Sequence, residues 1–515
     1  MKQVSIFNNV LGPVMRGPSS SHTAGSYHIG RAARDVLGET PVAASIEFDE
    51  RGSYAKVYAE QGSDRAFLCG LMDWDLLGEA FYDAADRATR ESRRIRFGTG
   101  RFEEASHPNW VRLTMSGKKN DTRARVTAAS TGGGSIRIFD VDGFPVDLKG
   151  DRWTTLVRLD AERLDSAARF LERHGEATVS EKIVSERALI ALNRSSQLSD
   201  EVMEALKRTF EAHCATIRPI SFPLAGKALF ENAREMESYA RERKLSLGQA
   251  ALAYECALLG MTQDDAIQEM GRRYAIMKDT CERSLSGKFA FSMQLLRPFA
   301  HRIFESGQSG KLPFFGPHGR AAARAMALMH ANNAMDVVCA APTGGAAGAL
   351  PGAVITLEEE FGLSPDKVCL ALFAAGAVGM VLDTRATFAA EVAGCQVEIG
   401  AGGAMAAAAT VEAAGGTPAQ ALDAAAISFQ NTMGSVCDLV QGMVEIPCHT
   451  RNAVAAASAF VCADLVMGGY ENPIPLDETV DAVYQVGRML PVELRCTALA
   501  GLAACPSALA MKRLR

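Results

Sequence analysis

Hydrophobic and polar positions follow two different rhythms along this chain, and the change falls near residue 220. Before it, short segments rich in β-branched residues, several with a period of two, point to half-buried strands. Residues 42–48 and 53–59 read as strands, with Asp49-Glu50-Arg51-Gly52 as their hairpin connection. Further strands are expected at 111–116, 124–130 and 135–141, with Gly132-Gly133-Gly134 as a flexible turn. Residues 23–37 read as a helix, opened by Ser/Thr residues suited to capping and closed by Gly38. Residues 1–148 are therefore expected to form an α+β domain.

Residues 151–212 predict a small unit of their own: strand 153–159, helix 165–174, strands 177–184 and 187–192, and helix 199–210. The order βαββα resembles the core of an ACT-type regulatory domain, by pattern alone; a plain spacer or dimerisation module fits as well. Residues 213–221, with two prolines close by, read as a linker. From 222 to 515 the pattern is helical almost throughout, with candidate helices at 226–244, 247–259, 262–284, 321–334, 346–360 and 417–425 and no convincing strand alternation.

Two uncharged runs, 337–357 and 368–382, raise the question of a membrane span. The first is broken by Pro342, Pro351 and several glycines, and the second is too short to cross comfortably. Their small residues suit helices packed closely around a buried cofactor. A net charge of −6 gives no reason to expect nucleic acid or an anionic membrane as partner. The N-terminus has no secretory pattern, and scattered cysteines imply a reducing, cytoplasmic setting with free or metal-bound thiols.

The chemistry centres on Cys395, Cys437 and Cys448. Two lie 11 residues apart and the third 42 upstream, unlike the tight Cys-x-x-Cys of a zinc ribbon. Three thiolates gathered from separate turns suit an iron–sulfur cluster with one iron left open as a Lewis acid. The chain holds 12 cysteines, so spacing alone is weak and the surrounding residues decide. Near the N-terminus stands Gly12-Pro13-Val14-Met15-Arg16-Gly17-Pro18-Ser19-Ser20-Ser21-His22-Thr23-Ala24-Gly25. Then come Ala341-Pro342-Thr343-Gly344-Gly345, Glu391 through Gly394-Cys395-Gln396 to Glu398, Cys437-Asp438 through Pro447-Cys448 to Arg451-Asn452, and Leu494-Arg495 with Thr497. In this order, and over nearly the whole length, these segments closely resemble the iron–sulfur-dependent bacterial L-serine dehydratases (L-serine ammonia-lyases), with β and α parts fused in one chain.

The resemblance implies a β domain at 1–148, an all-helical, cluster-binding α domain at 222–515, a 4Fe-4S cluster on Cys395, Cys437 and Cys448, and no pyridoxal phosphate. It implies β-elimination of water from L-serine or a related small amino or hydroxy acid. Cys505 is a candidate fourth ligand or plug. Ser19, Ser20, Ser21, His22 and Thr23 form a donor cluster at a helix start that suits a carboxylate. His22, Ser20 and Ser21 are taken as catalytic, with His22 able to carry a proton near neutral pH. Ser19, Ser20, Ser21, Thr23, Thr343, Gly344 and Asn452 are taken to bind substrate, Arg451 to support the site, and His107-Pro108-Asn109 to be structural. A homodimer is expected.

Four positions depart from the family pattern. Its Gly-His-Gly-Thr-Asp segment, whose histidine is a favoured base, reads Glu60-Gln61-Gly62-Ser63-Asp64 here, and a neutral amide is far too weak a base. Gly344, Leu439 and Cys496 stand where Asn, Pro and Glu are usual. A related substrate with another base (Glu60 or His22), another leaving group such as sulfide, a slow dehydratase, or an inactive amino-acid-sensing paralogue would each explain these changes.

Overall fold

The computed structural model describes residues 3–118, 122–174, 178–288 and 293–514. The N-terminal α+β part is built on a six-stranded sheet in the order Arg94–Gly100, Ala43–Asp49, Trp110–Ser116, Arg123–Gly132, Ser135–Val141, Phe144–Leu148. The first pair is parallel and the others antiparallel. Ile46, Phe48, Leu113 and Val126 alternate onto the buried face and join the core of the helices Gly25–Leu37 and Ser63–Met72.

The hairpin expected after residue 48 does not form. Ser53–Val57 is a helical turn. The Asp49 carboxylate accepts the Arg51 N–H at 2.9 Å and the Phe102 N–H at 3.1 Å, which closes the turn on itself. Arg94–Gly100 fills the edge where a hairpin strand would have paired.

The middle unit runs Trp153–Asp160, Leu164–Glu172, Thr178–Val184, Arg187–Arg194, Asp200–Phe210, followed by the strand His213–Ile217. That last strand pairs antiparallel with Trp153–Asp160, so the expected linker is sheet and the unit is βαββαβ. Ala177, assigned to a strand from sequence, lies outside the described residues.

The C-terminal part is helical. The predicted helix at 226–244 contracts to Ala233–Arg243 and that at 417–425 extends to Pro418–Thr432. Around them stand Pro365–Arg385, Ile399–Ala413, Cys448–Met467 and Leu476–Met489. Pro365–Arg385 is long and apolar enough to cross a membrane by length and composition, and 83% of its most apolar window is buried inside the fold. Among the described residues one short strand interrupts the helices: Val337–Cys339 pairs antiparallel with Val14–Arg16 and ties the two parts together.

A second tie is the start of the chain. Val4, Ile6, Phe7, Val10 and Leu11 belong to the core of the helical part. Buried Glu255 accepts hydrogen bonds from the Ser5 hydroxyl (2.5 Å) and the Ile6 and Phe7 N–H groups (2.8 and 2.9 Å). Gly376 and Gly379 leave room for this peptide: a Cβ there would stand 2.5 Å from an Ile6 methyl and 2.1 Å from a Val10 methyl. These anchors hold the serine-rich loop over the helical part.

Candidate active site at the cysteine cradle

Cys395, Cys437 and Cys448 are buried and line one cavity, together with Cys496. Each comes from a different local structure. Cys395 opens a tight turn, Cys395–Val397, between two helices. Cys448 is the first residue of Cys448–Met467. Cys437 is extended: its N–H donates to the Leu494 carbonyl (2.9 Å) and its own carbonyl accepts the Cys496 N–H (3.0 Å). All are free thiols. The Sγ atoms of Cys395 and Cys437 and a Glu398 carboxylate oxygen lie within 4.8 Å of one another.

One turn after Cys448, Arg451 donates to the Val436 carbonyl (2.8 Å) and to Asp438 (3.0 Å). A hydrogen bond from Cys437 and this nearby guanidinium hold the Cys395 thiol below the usual thiol range. Soft, convergent thiols beside a cation fit a thiolate-held metal cluster.

The serine-rich loop forms the opposite wall. Ser20–Ala24 makes a single π-type turn that runs into Gly25–Leu37. Ser19 and Ser21 line the cavity, as do Gln61, Gly345, Glu391 and Glu398. His22 lies behind them. The Ser53 hydroxyl donates to the Cys496 carbonyl at 3.0 Å, so at 3.2 Å it must accept from His22 Nε2–H. That fixes Nδ1 as the acceptor, facing Ser21 Oγ at 3.0 Å and Ser19 Oγ at 3.4 Å. Burial lowers the His22 pKa to about 3. The imidazole is therefore neutral at ordinary pH with both nitrogens occupied, which corrects the expectation of a proton carrier near neutrality.

Further expectations change, for Thr23, Asn452, Ser20 and Cys505. The Thr23 hydroxyl donates to the Gln61 carbonyl (2.8 Å) and so fixes Gln61. The Asn452 side chain is wholly taken up by backbone: it donates to the Gly345 and Cys448 carbonyls (both 2.9 Å) and accepts from the Gly348 and Ala349 N–H groups (3.2 and 3.0 Å). It clamps the Thr343–Gly345 segment onto the Cys448 helix. Gly344 faces the loop: a Cβ there would stand 2.9 Å from Ser20 N. Thr343 is buried with its hydroxyl beside Glu398, and Ser20 is buried away from the cavity lining. Cys505 is exposed at the surface, its thiol on the Gly501 carbonyl at 3.8 Å.

Residues 228–503 match the family model described as serine dehydratase alpha chain. The chain is 36% identical over 280 residues to the probable L-serine dehydratase alpha chain of Bacillus subtilis, covering 54% of this chain and 93% of that protein. It is also 34% identical over 216 residues to the probable beta chain of the same organism, covering 40% of this chain and 94% of that protein. The chain belongs to the L-serine dehydratase family, with alpha and beta parts fused. The Escherichia coli protein named L-serine dehydratase 1 is 36% identical over 182 residues, 35% of this chain and 40% of that protein.

Within this lyase family, the positions that depart from the usual pattern cluster at the cradle. Gln61 is 1% exposed, and its amide donates toward the Gly442 carbonyl (3.5 Å) and Cys496 Sγ (3.8 Å). Leu439 is another wall of the cavity. Glu60, once a candidate base, instead pairs with Arg513 at 3.3 Å. A carboxylate that sequence reasoning gave no role is better placed. Glu391 is buried in the cavity wall, hydrogen-bonded by Asn109 and Ser21, and burial pushes its pKa up to about 7. Burial and the neighbouring Cys395 raise the Glu398 carboxyl well above the usual range. Both acids lie inside the motif around Cys395, and that was the available signal. Asn109, read as structural, reaches the site through Glu391.

Proposed function

We propose that this chain is a 4Fe-4S-dependent lyase that eliminates water from L-serine or a closely related small amino or hydroxy acid. The observation that carries the reading is the convergence of Cys395, Cys437 and Cys448, from three separate segments, on one buried cavity walled by the serine-rich loop. When bound there, the cluster would supply a Lewis-acidic iron to help hydroxide depart.

The chain's own residues do the rest. Ser19 and Ser21 present hydroxyls to a small polar substrate, and His22 holds both in register. Gln61 cannot take the Cα proton. Glu391 takes that role: it faces the cavity, is anchored by Asn109, and has a pKa near the working pH, as a general base needs. The electron pair of the Cα–H bond forms the double bond as the β-substituent leaves. From serine the product is aminoacrylate, which tautomerises and hydrolyses to pyruvate and ammonia.

The amide and extra thiol in place of the family's usual His and Glu favour a second reading, in which sulfide leaves from a cysteine-like substrate. Anaerobically reconstituted protein assayed against L-serine, L-cysteine and small hydroxy acids for pyruvate, ammonia and sulfide separates the two. Iron-loaded protein with no turnover on any of them would overturn the lyase reading and leave a sensor. The base has its own test. An acid with a pKa near 7 is an active base only when ionised, so kcat should rise with pH through about 7 and be lost below it. Glu391→Gln should remove that limb and lower kcat by roughly a hundredfold or more.

A further inference from the structure

We propose that the cleft between the six-stranded sheet and the middle unit binds a small polyanion, a phosphate ester or a polycarboxylate, held by arginines from both units. The cleft has a volume of about 650 Å³, a size that suits a small-molecule ligand. The sheet contributes Arg123, Arg125 and Asp142 to its lining, and the middle unit Arg158, Arg187 and His213.

Most acids of the cleft are already engaged. Asp142 pairs with Arg158 and accepts the Arg125 N–H at 2.7 Å. Glu211, also in the lining, pairs with Arg163 at 2.9 Å. Arg158 donates in addition to the Val36 carbonyl (3.3 Å) and to His213 Nδ1 (2.9 Å), which ties the two units together and leaves His213 Nε2–H as a further donor. The other arginines are not used in this way. Among the described residues, the Arg123 and Arg187 side chains have no ion pair or hydrogen bond, and Arg125 reaches only Asp140, at 3.9 Å. Asp160 stands opposite Arg187 in the strand pair without an ion pair to it, and is the one acid of the lining left unpaired.

Three guanidiniums thus share a cleft with one unpaired carboxylate. Arg123 and Arg125 lie two apart on one strand, so both project from the same face and repel each other. The whole chain carries a net charge of −6, so this excess of cations is local. An anion seated among them relieves the repulsion. Guanidinium groups bind phosphate and carboxylate oxygens in pairs, through strong charge-assisted hydrogen bonds. Arginines approaching from two separate units favour a ligand with negative charge at more than one position.

The test is calorimetric titration of the full chain, reconstituted anaerobically, with pyrophosphate and separately with tricarballylate, at an ionic strength of about 0.15 M. Saturable binding of one ion per chain is expected, and the tighter of the two probes tells a phosphate ligand from a polycarboxylate. Arg123→Gln and Arg187→Gln, one from each unit, should each weaken it roughly tenfold or more, as loss of a charge-assisted hydrogen bond does. Neither side chain has a partner within the protein, so both variants should fold as the wild type does. Arg241→Gln, which removes a 71%-exposed cation on the helical part, should leave the affinity unchanged. No saturable binding of either probe, or equal weakening by Arg241→Gln, would overturn the site. Weakening by only one of the two cleft variants would overturn a ligand held from both units. The outcome does not depend on the cluster, so it stands or falls apart from the lyase reading.

Discussion

The serine-rich loop and the cysteine cradle face each other across one cavity, but their polar atoms go to different places. In the loop nearly every group is used by the protein. His22 spends both ring nitrogens on serines, Thr23 holds Gln61, and the Ser21 and His22 carbonyls take hydroxyls from Tyr54, Ser26 and Ser63. In the cradle the backbone is tied down, yet the sulfurs of Cys395 and Cys437 meet each other, and that of Cys448 faces the same cavity. A loop that looks reactive is therefore largely scaffold, and a set of residues that could pass for apolar packing turns its thiols to the cavity.

This contrast can be broken most decisively at the cradle. Cys437→Ser should remove iron and brown colour and abolish turnover, as seen by iron analysis and steady-state assay. Serine in place of the thiolate would leave the cluster without one of its holders. Iron retained at the wild-type level would show that Cys437 is packing only.

His22→Ala tests the loop from the other side. A neutral spacer that aligns Ser19, Ser21 and Ser53 should cost roughly tenfold to a hundredfold in kcat/KM through misplacement. The rise in kcat through about pH 7 should stay where it is, because Glu391 sets it. Disappearance of that limb in His22→Ala would return the proton-carrying role to the histidine.

The smallest effect is expected at Asn452. Asn452→Ala leaves two buried N–H groups and two carbonyls without their partner. Each such loss costs about 1–3 kcal/mol before relaxation, so a net destabilisation of about 2–4 kcal/mol should appear in denaturant unfolding. Iron content at saturating supply should be little changed. A variant of normal stability with a large rise in KM would make Asn452 a substrate ligand after all.

Much of this was readable from sequence, and the failures have physical causes. The cysteines and the loop stood out because their neighbours carry several special residues at once. Helices such as Ile399–Ala413 and Cys448–Met467 did not, because the first is buried on almost every side and both are built of small residues. A helix apolar all round has no amphipathic period to detect. Residues 53–59 carry aromatic and β-branched residues with polar positions only at Ser53 and Lys56, a pattern that serves a strand or a short helix equally. The choice was made by the Asp49 carboxylate, which holds Arg51 and the distant Phe102, and by a parallel partner strand 51 residues on from Ala43–Asp49. Glu391 sat inside a recognised motif, but its role depends on burial beside Asn109, 282 residues earlier in the chain. Cys496 was visible only as an oddity until the bridge between its neighbour Arg495 and Cys437 brought it to the cavity of the other thiols.

The buried start of the chain bears on how such an enzyme can be divided. Residues 4–11 sit in the helical part as a bound peptide would, with its backbone read by Glu255 and its side chains seated at Gly376 and Gly379. The two halves are thus held by a docking event as well as by the peptide bonds near residue 220. Severing those bonds would turn one folded molecule into a complex of two chains, while fusing them raises the effective concentration of each half for the other to about the millimolar range. One architecture can in this way be encoded as one gene product or as two.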